Sequence, residues 1–291
     1  MRMDPQAKVR VGTAGWSYDD WNGIVYPKGM PRSLHPLTYL AQFMETVEVN
    51  SSFYHPPQAR YAESWVRKVA ENANFMFTFK LWERFTHQRD TFPTDAEVRQ
   101  YQEGIAPVVD AGKLGAILIQ FPWSFRRTPE NRKWLGQVLD AFADYPLALE
   151  IRHESWNVRE VYEGLASREI AFCNIDQPIF SDSIKPSGKV TARVGYVRLH
   201  GRNAKDWFRK DAGRDDRYNY LYSRDELADW LTVVRRMRQR AKSIYVITNN
   251  HFEGQAVVNA FELKHALEDQ PQPIPGCLMD AYPRLRDIAR R

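Results

Sequence analysis

The feature that most constrains the fold is an alternation of eight strand-like segments with segments of helical periodicity. Strands joined by helices run parallel, because a helical crossover returns the chain to the same end of the sheet. The strand-like segments are 9–16, 46–54, 75–82, 114–122, 147–153, 171–178, 195–201 and 243–251. Eight such units predict an α/β protein of the (β/α)₈ TIM-like barrel class, with a doubly wound open sheet as the alternative.

Helical patterns fill most of the intervals between these segments. Apolar residues recur at helical spacing over 98–108, Ser223 and Glu226 have the spacing of a capping box, and a last helix is predicted over 254–269. The interval 177–194 contains IKPSG and shows no helical period. We therefore expect a loop in place of the sixth helix.

Composition places the chain among ordinary globular proteins, with 43% hydrophobic and 26% charged residues. No linker or low-complexity tract divides it, so we expect a single domain over residues 1–291. The net charge of +5 favours anionic partners only weakly. The two cysteines, Cys173 and Cys277, form no CxxC pair, which argues against a zinc ribbon or a disulfide scaffold. No signal peptide or long apolar run is seen, so we expect a cytoplasmic protein without a membrane partner.

The strand-like segments are not the unbroken apolar runs that strands buried on both faces usually show. Apolar and polar residues alternate, and the polar ones come late in each strand. The apolar face must pack under helices, so the polar face is predicted to point into the barrel near its C-terminal mouth, where active sites of this fold lie. The residues assigned to this polar face are Glu48, Asn50, Lys80, Gln120, Glu150, Arg152, Asn174, Asp176, Arg198 and His200.

Two interpretations of these charges are open. Glu48, Glu150 and Asp176 could neutralise the nearby cations in a buried network that is purely structural. We favour a functional pocket, because ionisable groups in perturbed environments gather at functional sites.

Seven ordered motifs resemble the YecE-like proteins, known as the domain of unknown function 72 family. The motifs are GTAGWSYDDWNGIVYP (12–27), VEVNSSFYHPP (47–57), FTFKLWERFTH (77–87), ILIQFPWSF (117–125), EIRHESW (150–156), YVRLHGR (196–202) and TNNHFEGQAVVNA (248–260). His55 and Thr248 depart from the family pattern. The resemblance implies a TIM-like barrel and supplies no activity.

The first functional hypothesis is metal-free acid–base chemistry on an anionic small molecule that bears phosphate or carboxylate. Arg152 and Arg198 can bind such a group through two parallel hydrogen bonds. The candidate catalytic residues are Glu48, Lys80, Glu150, Asp176 and His200. The other candidate substrate-binding residues are Trp16, Tyr18, Asn50, Phe53, Tyr54, Gln120, His153, Trp156 and Asn250. No glycine-rich cofactor fingerprint is found, so we expect no nicotinamide or flavin cofactor.

Lys80 has two possible roles. A strand lysine in a barrel can act as a Schiff-base nucleophile. Nearby carboxylates would raise its pKa, and this favours an ion pair with Glu48 or Glu150 instead.

Two other function classes remain open. Glu48, Glu150, Asp176 and His200 could coordinate a divalent metal for phosphodiester cleavage or sugar isomerisation, as in barrels of the endonuclease IV type. The basic loops 124–133 and 200–210 could contact nucleic acid.

Overall fold

The chain forms a closed barrel of eight parallel strands in a computed structural model that describes residues 7–207, 209, 211 and 213–290, apart from the side chain of residue 214. The strands are β1 (Lys8–Ala14), β2 (Thr46–Val49), β3 (Met76–Lys80), β4 (Leu114–Gln120), β5 (Leu147–Glu150), β6 (Ala171–Asp176), β7 (Val194–Leu199) and β8 (Ser243–Thr248). Each strand pairs with the next in sequence, and β8 pairs with β1. The predicted (β/α)₈ TIM-like barrel is confirmed.

Helices occupy the connections between most strands. They are α1 (Pro36–Leu40), α2 (Ser51–Tyr54), α3 (Ala59–Lys68), α4 (Glu83–Thr86), α5 (Asp95–Asp110), α6 (Pro129–Ala141), α7 (Arg159–Ser167), α8 (Ala204–Trp207), α9 (Arg214–Tyr218), α10 (Arg224–Met237), α11 (Gln255–Glu268) and α12 (Gly276–Ala281). Short 3₁₀ helices cover Asp19–Trp21, Glu154–Trp156, Phe252–Gly254 and Pro283–Ile288. The capping box of Ser223 and Glu226 is present at the start of α10, and residues 177–193 between β6 and β7 contain no helix, as predicted.

The C-terminal ends of the strands carry the polar residues, and the rest of the barrel is closely packed. Apolar residues of β2 and β3, such as Val47 and Phe77, are fully buried. Inside the barrel, the ring of Tyr245 fills the space over Gly115, where a Cβ atom would lie only 2.5 Å from the ring. Glycine on β4 therefore makes room for a large side chain from the opposite wall.

Every strand ends before its predicted segment does, and two of these cases bear on the site. The segment 46–54 ends as a strand at Val49 and continues as α2, while 147–153 ends at Glu150. Ser52 explains the first case, because its hydroxyl lies 2.7 Å from the carbonyl oxygen of Val49 and 2.6 Å from that of Lys80. The side chain thus ties the ends of β2 and β3 together, and α2 begins there.

The prediction for the faces of β6 is wrong. Cys173 pairs in register with Tyr196, and Ile175 with Arg198, so these apolar residues face the interior. Asn174 and Asp176 face outward.

The physical reason is the loop that replaces the sixth helix. Backbone groups of this loop need polar partners on the strand beneath them. The Asn174 carboxamide accepts from the backbone N–H of Lys189 at 3.0 Å and donates to the carbonyl of Lys189 at 2.9 Å. An outward-facing residue therefore need not be apolar on a strand that a loop covers.

None of the helices in the described part of the chain has both the length and the apolar character required to cross a membrane. Cys173 and Cys277 are both reduced.

Candidate functional site

A cavity of about 330 Å³ opens at the C-terminal mouth of the barrel. Its lining includes eight residues that the sequence singled out: Trp16, Tyr18, Asn50, Phe53, Tyr54, Lys80, Arg152 and Arg198. Three of these are cationic and come from the ends of β3, β5 and β7. The cavity therefore has a basic floor and an aromatic wall.

Arg198 joins two carboxylates from opposite walls of the barrel. Its Nη2 donates to Glu48 Oε1 at 2.6 Å, and its Nη1 donates to Glu150 Oε2 at 2.6 Å. Both carboxylates are fully buried, and the Arg198 side chain is only 2% exposed. Burial of these charges is tolerated because they compensate one another at hydrogen-bond distance.

The second oxygen of Glu48 is also occupied. The Tyr196 hydroxyl lies 2.8 Å from Glu48 Oε2 and 2.8 Å from the hydroxyl of Thr78. Burial, together with the Glu48 charge, raises the pKa of Tyr196 well above its usual value, so its proton stays in place. Tyr196 was not singled out from the sequence, and Thr78 was predicted to face the barrel interior but was not chosen as a site residue.

Glu150 is surrounded by donors. Its Oε1 accepts from Arg152 Nε at 2.9 Å and lies 3.3 Å from His200 Nε2. Burial would raise the pKa of Glu150, but the guanidinium groups of Arg198 and Arg152 hold it well below its usual value. Glu150 is therefore ionised and already fully engaged.

His200 is neutral. Burial, with the neighbouring Arg198, lowers the pKa of His200 to about 3. Asn249 Nδ2 lies 2.9 Å from His200 Nδ1. The tautomer with its proton on Nε2 accepts from Asn249 and donates to Glu150, which satisfies both contacts.

Lys80 differs from the two arginines in its partners. Its Nζ lies 3.7 Å from the centroid of the Phe53 ring. The expected ion pair of Lys80 with Glu48 or Glu150 is absent, because Arg198 and the other donors occupy both carboxylates. Burial, strengthened by the positive charge of Arg198, lowers the pKa of Lys80 to about 7.

The aromatic wall is held by the loop after β1. Gly15 adopts a φ of +84°, and a Cβ atom there would lie 2.7 Å from the Tyr18 hydroxyl. The Tyr18 ring stacks on His251, with centroids 4.4 Å apart and planes at 9°. The turn and the stack fix one side of the cavity.

Glu48, Glu150 and His200 lie directly behind the cavity and hold the cations that line it. The other predicted site residues lie elsewhere. Gln120 donates to the carbonyl of Phe121, and Asn250 donates to Tyr220 and Asn259.

His153 and Trp156 also lie away from the lining. His153 Nδ1 accepts from the backbone N–H of Ser155 at the start of a 3₁₀ helix. The Trp156 indole N–H donates to the carbonyl of Phe125, on whose ring it stacks. Both therefore support the loop after β5.

Asp176, which faces outward, belongs to a separate cluster. It accepts from Arg202 at 2.9 Å and from the Trp230 indole at 2.7 Å. Consequently the four-residue metal set that includes Asp176 is not assembled. In the described part of the chain, no group of three or more His, Cys, Asp or Glu side chains is arranged to hold a metal ion.

Five lining side chains were missed by sequence reasoning: Ser17, Ser51, Tyr218, Asn249 and His251. Asn249 and His251 stand in the motif TNNHFEG, from which only Asn250 was chosen. The alternation of side chains along a strand could not show which of Asn249, Asn250 and His251 face the cavity. β8 ends at Thr248, and the two-residue period is lost beyond it. In the basic loop 200–210, residues 208 and 210 lie outside the described residues.

Comparison with known proteins agrees with this fold. The model of the family described as "Protein of unknown function DUF72" matches residues 10–282. The UPF0759 protein YunF of Bacillus subtilis (strain 168) is 30% identical over 273 residues, which cover 89% of this chain and 95% of that protein.

Two solved structures are similar over nearly the whole chain. A DUF72 family protein from Thermotoga maritima has 34% identity and a TM-score of 0.80, covering 90% of this chain and 99% of that one. Another, from Enterococcus faecalis, has 28% identity and a TM-score of 0.78, covering 89% and 95%. With the family match spanning every strand from β2 to β8 and most of β1, the chain belongs to the DUF72 family.

Proposed function

We propose that this protein is an enzyme that binds an anionic small molecule in the cavity at the C-terminal mouth and performs acid–base chemistry on it. The observation that carries the proposal is the convergence of Lys80, Arg152 and Arg198 on one cavity. Glu48 and Glu150 balance the two arginines, so a protonated Lys80 gives the centre one surplus positive charge. That surplus suits a phosphate or carboxylate.

Arg152 is the group best placed to hold the anion. Its side chain is 13% exposed. Its Nε and Nη2 contact Glu150, while no described residue accepts a hydrogen bond from Nη1. Nη1 therefore remains available for a ligand. Arg198 is almost fully enclosed and supplies charge more than contact.

Lys80 supports the acid–base part of the proposal. With a pKa of about 7, its amine is present in both protonation states near neutral pH. A group with such a pKa can both give and take a proton under the same conditions. Glu48, Glu150 and His200 are then positioning residues, since they hold Arg152 and Arg198 without lining the cavity.

Calorimetric titration with sulfate, phosphate and malonate tests the anion site. Arg152→Met is expected to weaken the binding of these anions at least about tenfold, because a charge-assisted contact is lost. Arg193→Met is the matched control: Arg193 is 72% exposed and directly precedes β7 at the opposite end of the barrel. Equal affinities in the wild type and Arg152→Met, or an equal loss in both variants, would refute the proposal.

A further inference from the structure

We propose that Lys80 is an amine nucleophile that forms a Schiff base with the carbonyl carbon of an anionic aldehyde or ketone, such as a 2-oxo acid or a sugar phosphate. This inference rests on the proposed anion site, because the anionic group would bring the carbonyl to the amine. The inference extends the proposed function by specifying the bond that forms and the class of substrate.

The first supporting observation is the position of the amine. Lys80 is the last residue of β3, and its side chain lines the cavity. The carbonyl oxygen of Lys80 is held by Ser52 at 2.6 Å, and the Tyr101 hydroxyl lies 3.3 Å from it. The backbone under the nucleophile is thus fixed on a rigid strand end, as a covalent catalyst requires.

The second observation is the surroundings of the amine. Glu48 and Glu150 are the nearest candidates for an ion pair, yet their oxygens are engaged by Arg198, Arg152 and Tyr196. The Phe53 ring covers the amine from one side. A lysine that lies near fixed cations and apolar surface, with no carboxylate as its partner, is the kind that loses its proton readily.

The pKa of about 7 agrees with this geometry, since burial and Arg198 both disfavour the charged amine. At slightly alkaline pH most of the Lys80 population is neutral, and only the neutral amine carries the electron pair that attacks a carbonyl.

The third observation concerns the substrate. Asn50 lines the same cavity, and its Oδ1 is buried without a hydrogen-bond partner among the described residues. A buried acceptor of this kind is costly unless a ligand donates to it. The hydroxyl of a hydroxyaldehyde, or of the intermediate described below, would satisfy it. Arg152 Nη1 would bind the anionic group of the same molecule.

The reaction is balanced without any further reagent. The Lys80 lone pair attacks the carbonyl carbon, the carbonyl π electrons move to oxygen, and the amine proton is transferred to that oxygen to give a carbinolamine. The C–O bond then breaks, and one proton from solvent allows the oxygen to leave as water. The product is a protonated imine, and the addition of water reverses both steps.

Reductive trapping tests this step. The full-length protein is incubated with glyoxylate, pyruvate or glyceraldehyde 3-phosphate in the presence of sodium borohydride, which converts an imine into a stable secondary amine. Intact mass is expected to rise by one adduct per chain, and peptide mapping is expected to place the adduct on Lys80. The rate is expected to increase through about pH 7 as the amine becomes neutral.

Two variants sharpen the result. Lys80→Arg keeps the positive charge but cannot form an imine, so trapping is expected to fall at least about tenfold. Lys264→Arg is the control, because Lys264 is another lysine whose pKa burial lowers, and its Nζ donates to the carbonyl of Phe43 away from the cavity. Lys264→Arg is expected to be trapped like the wild type.

The mapping on the wild type decides the outcome even if Lys80→Arg fails to fold. An adduct spread over surface lysines, with no enrichment at Lys80, would overturn the inference. Calorimetry separates the two proposals: if pyruvate or phosphate binds but no imine is trapped, the Schiff base is wrong and the anion site stands. If neither anion binds, the proposed function itself fails.

Discussion

Two arginine–carboxylate clusters lie at the same end of the barrel, on neighbouring strands, and they differ in their net charge. The inner cluster joins Arg198 and Arg152 to two glutamates, with Lys80 as an additional cation that faces a cavity. The outer cluster joins one arginine, Arg202, to Asp176 and Glu226.

The outer cluster has one more negative charge than positive charges, and neutral hydrogen-bond donors stabilise the additional carboxylate. The Trp230 indole donates to Asp176 at 2.7 Å, and the Tyr220 hydroxyl donates to Glu226 at 2.5 Å. This cluster fastens α10 to β6, where the sixth helix is missing. The comparison shows that paired charges alone do not identify a site. In the proposed function, the distinguishing feature is a surplus charge that faces a cavity.

The largest expected effect comes from removing the centre of the inner cluster. Arg198→Met leaves Glu48 and Glu150 as buried charges with fewer partners, so the free energy of unfolding should fall by about 3–5 kcal/mol. Urea denaturation measures it. Arg202→Met is the comparison in the outer cluster, where the Arg202 side chain is 34% exposed and Asp176 keeps the Trp230 indole as a hydrogen-bond donor. If the outer variant loses as much stability as the inner one, the two clusters do not differ in the way described.

An intermediate effect is expected for Asp176→Asn. The amide oxygen can still accept one hydrogen bond, but the ion pair with Arg202 is lost, so the free energy of unfolding should fall by about 1–2 kcal/mol. Sulfate affinity should stay at the wild-type value, because Asp176 faces away from the cavity. A tenfold change in affinity, on the order of 1.4 kcal/mol, would show that the clusters are coupled.

The smallest effect is a pH dependence of anion binding. Lys80 has a lowered pKa of about 7, so its charge is present below that pH and is lost as the pH rises through it. Sulfate affinity should therefore fall, by a factor of about three to ten, between about pH 6 and about pH 8.5. His200, with its pKa near 3, does not titrate in this range.

Calorimetry in buffers across this range measures the trend, and Lys80→Arg is the control. Arginine stays protonated throughout, so the variant should bind sulfate with one affinity at every pH. A slope that persists in Lys80→Arg would assign the titration to another group.

The barrel could be predicted from the sequence because the periodicity of hydrophobic residues distinguishes strands from helices. The alternation of strands with helices then requires the strands to pair in parallel. The inward direction of Glu48, Glu150 and Arg198 was predictable for the same reason, since helices cover the outer faces of those strands. β6 broke the rule: Asn174 faces outward to bond the covering loop, and Asp176 faces outward to accept hydrogen bonds from Trp230 of α10 and from Arg202.

The pairing inside the site could not be predicted. Lys80, Arg152 and Arg198 could each form an ion pair with Glu48 or Glu150. The reach of each side chain across the barrel determines which ion pairs form. Arg198 takes an oxygen from both carboxylates because its two terminal nitrogens point at opposite walls. Lys80 is then left without an acidic partner, and this is the feature on which the proposed Schiff-base chemistry depends.

The loop over 177–193 has a consequence for how relatives of this protein can diverge. It is pinned at its centre, where the backbone N–H of Ile184 donates to the carbonyl of Arg152 and the N–H of Glu154 donates to that of Asp182. Near its end, Lys189 is pinned to Asn174. The stretches between such pins can lengthen or shorten at a small entropic cost, since no packed helix has to be displaced. Insertions next to Ile184 would emerge close to the Arg152 backbone, so the length of this crossover can vary near the cavity while the barrel stays intact.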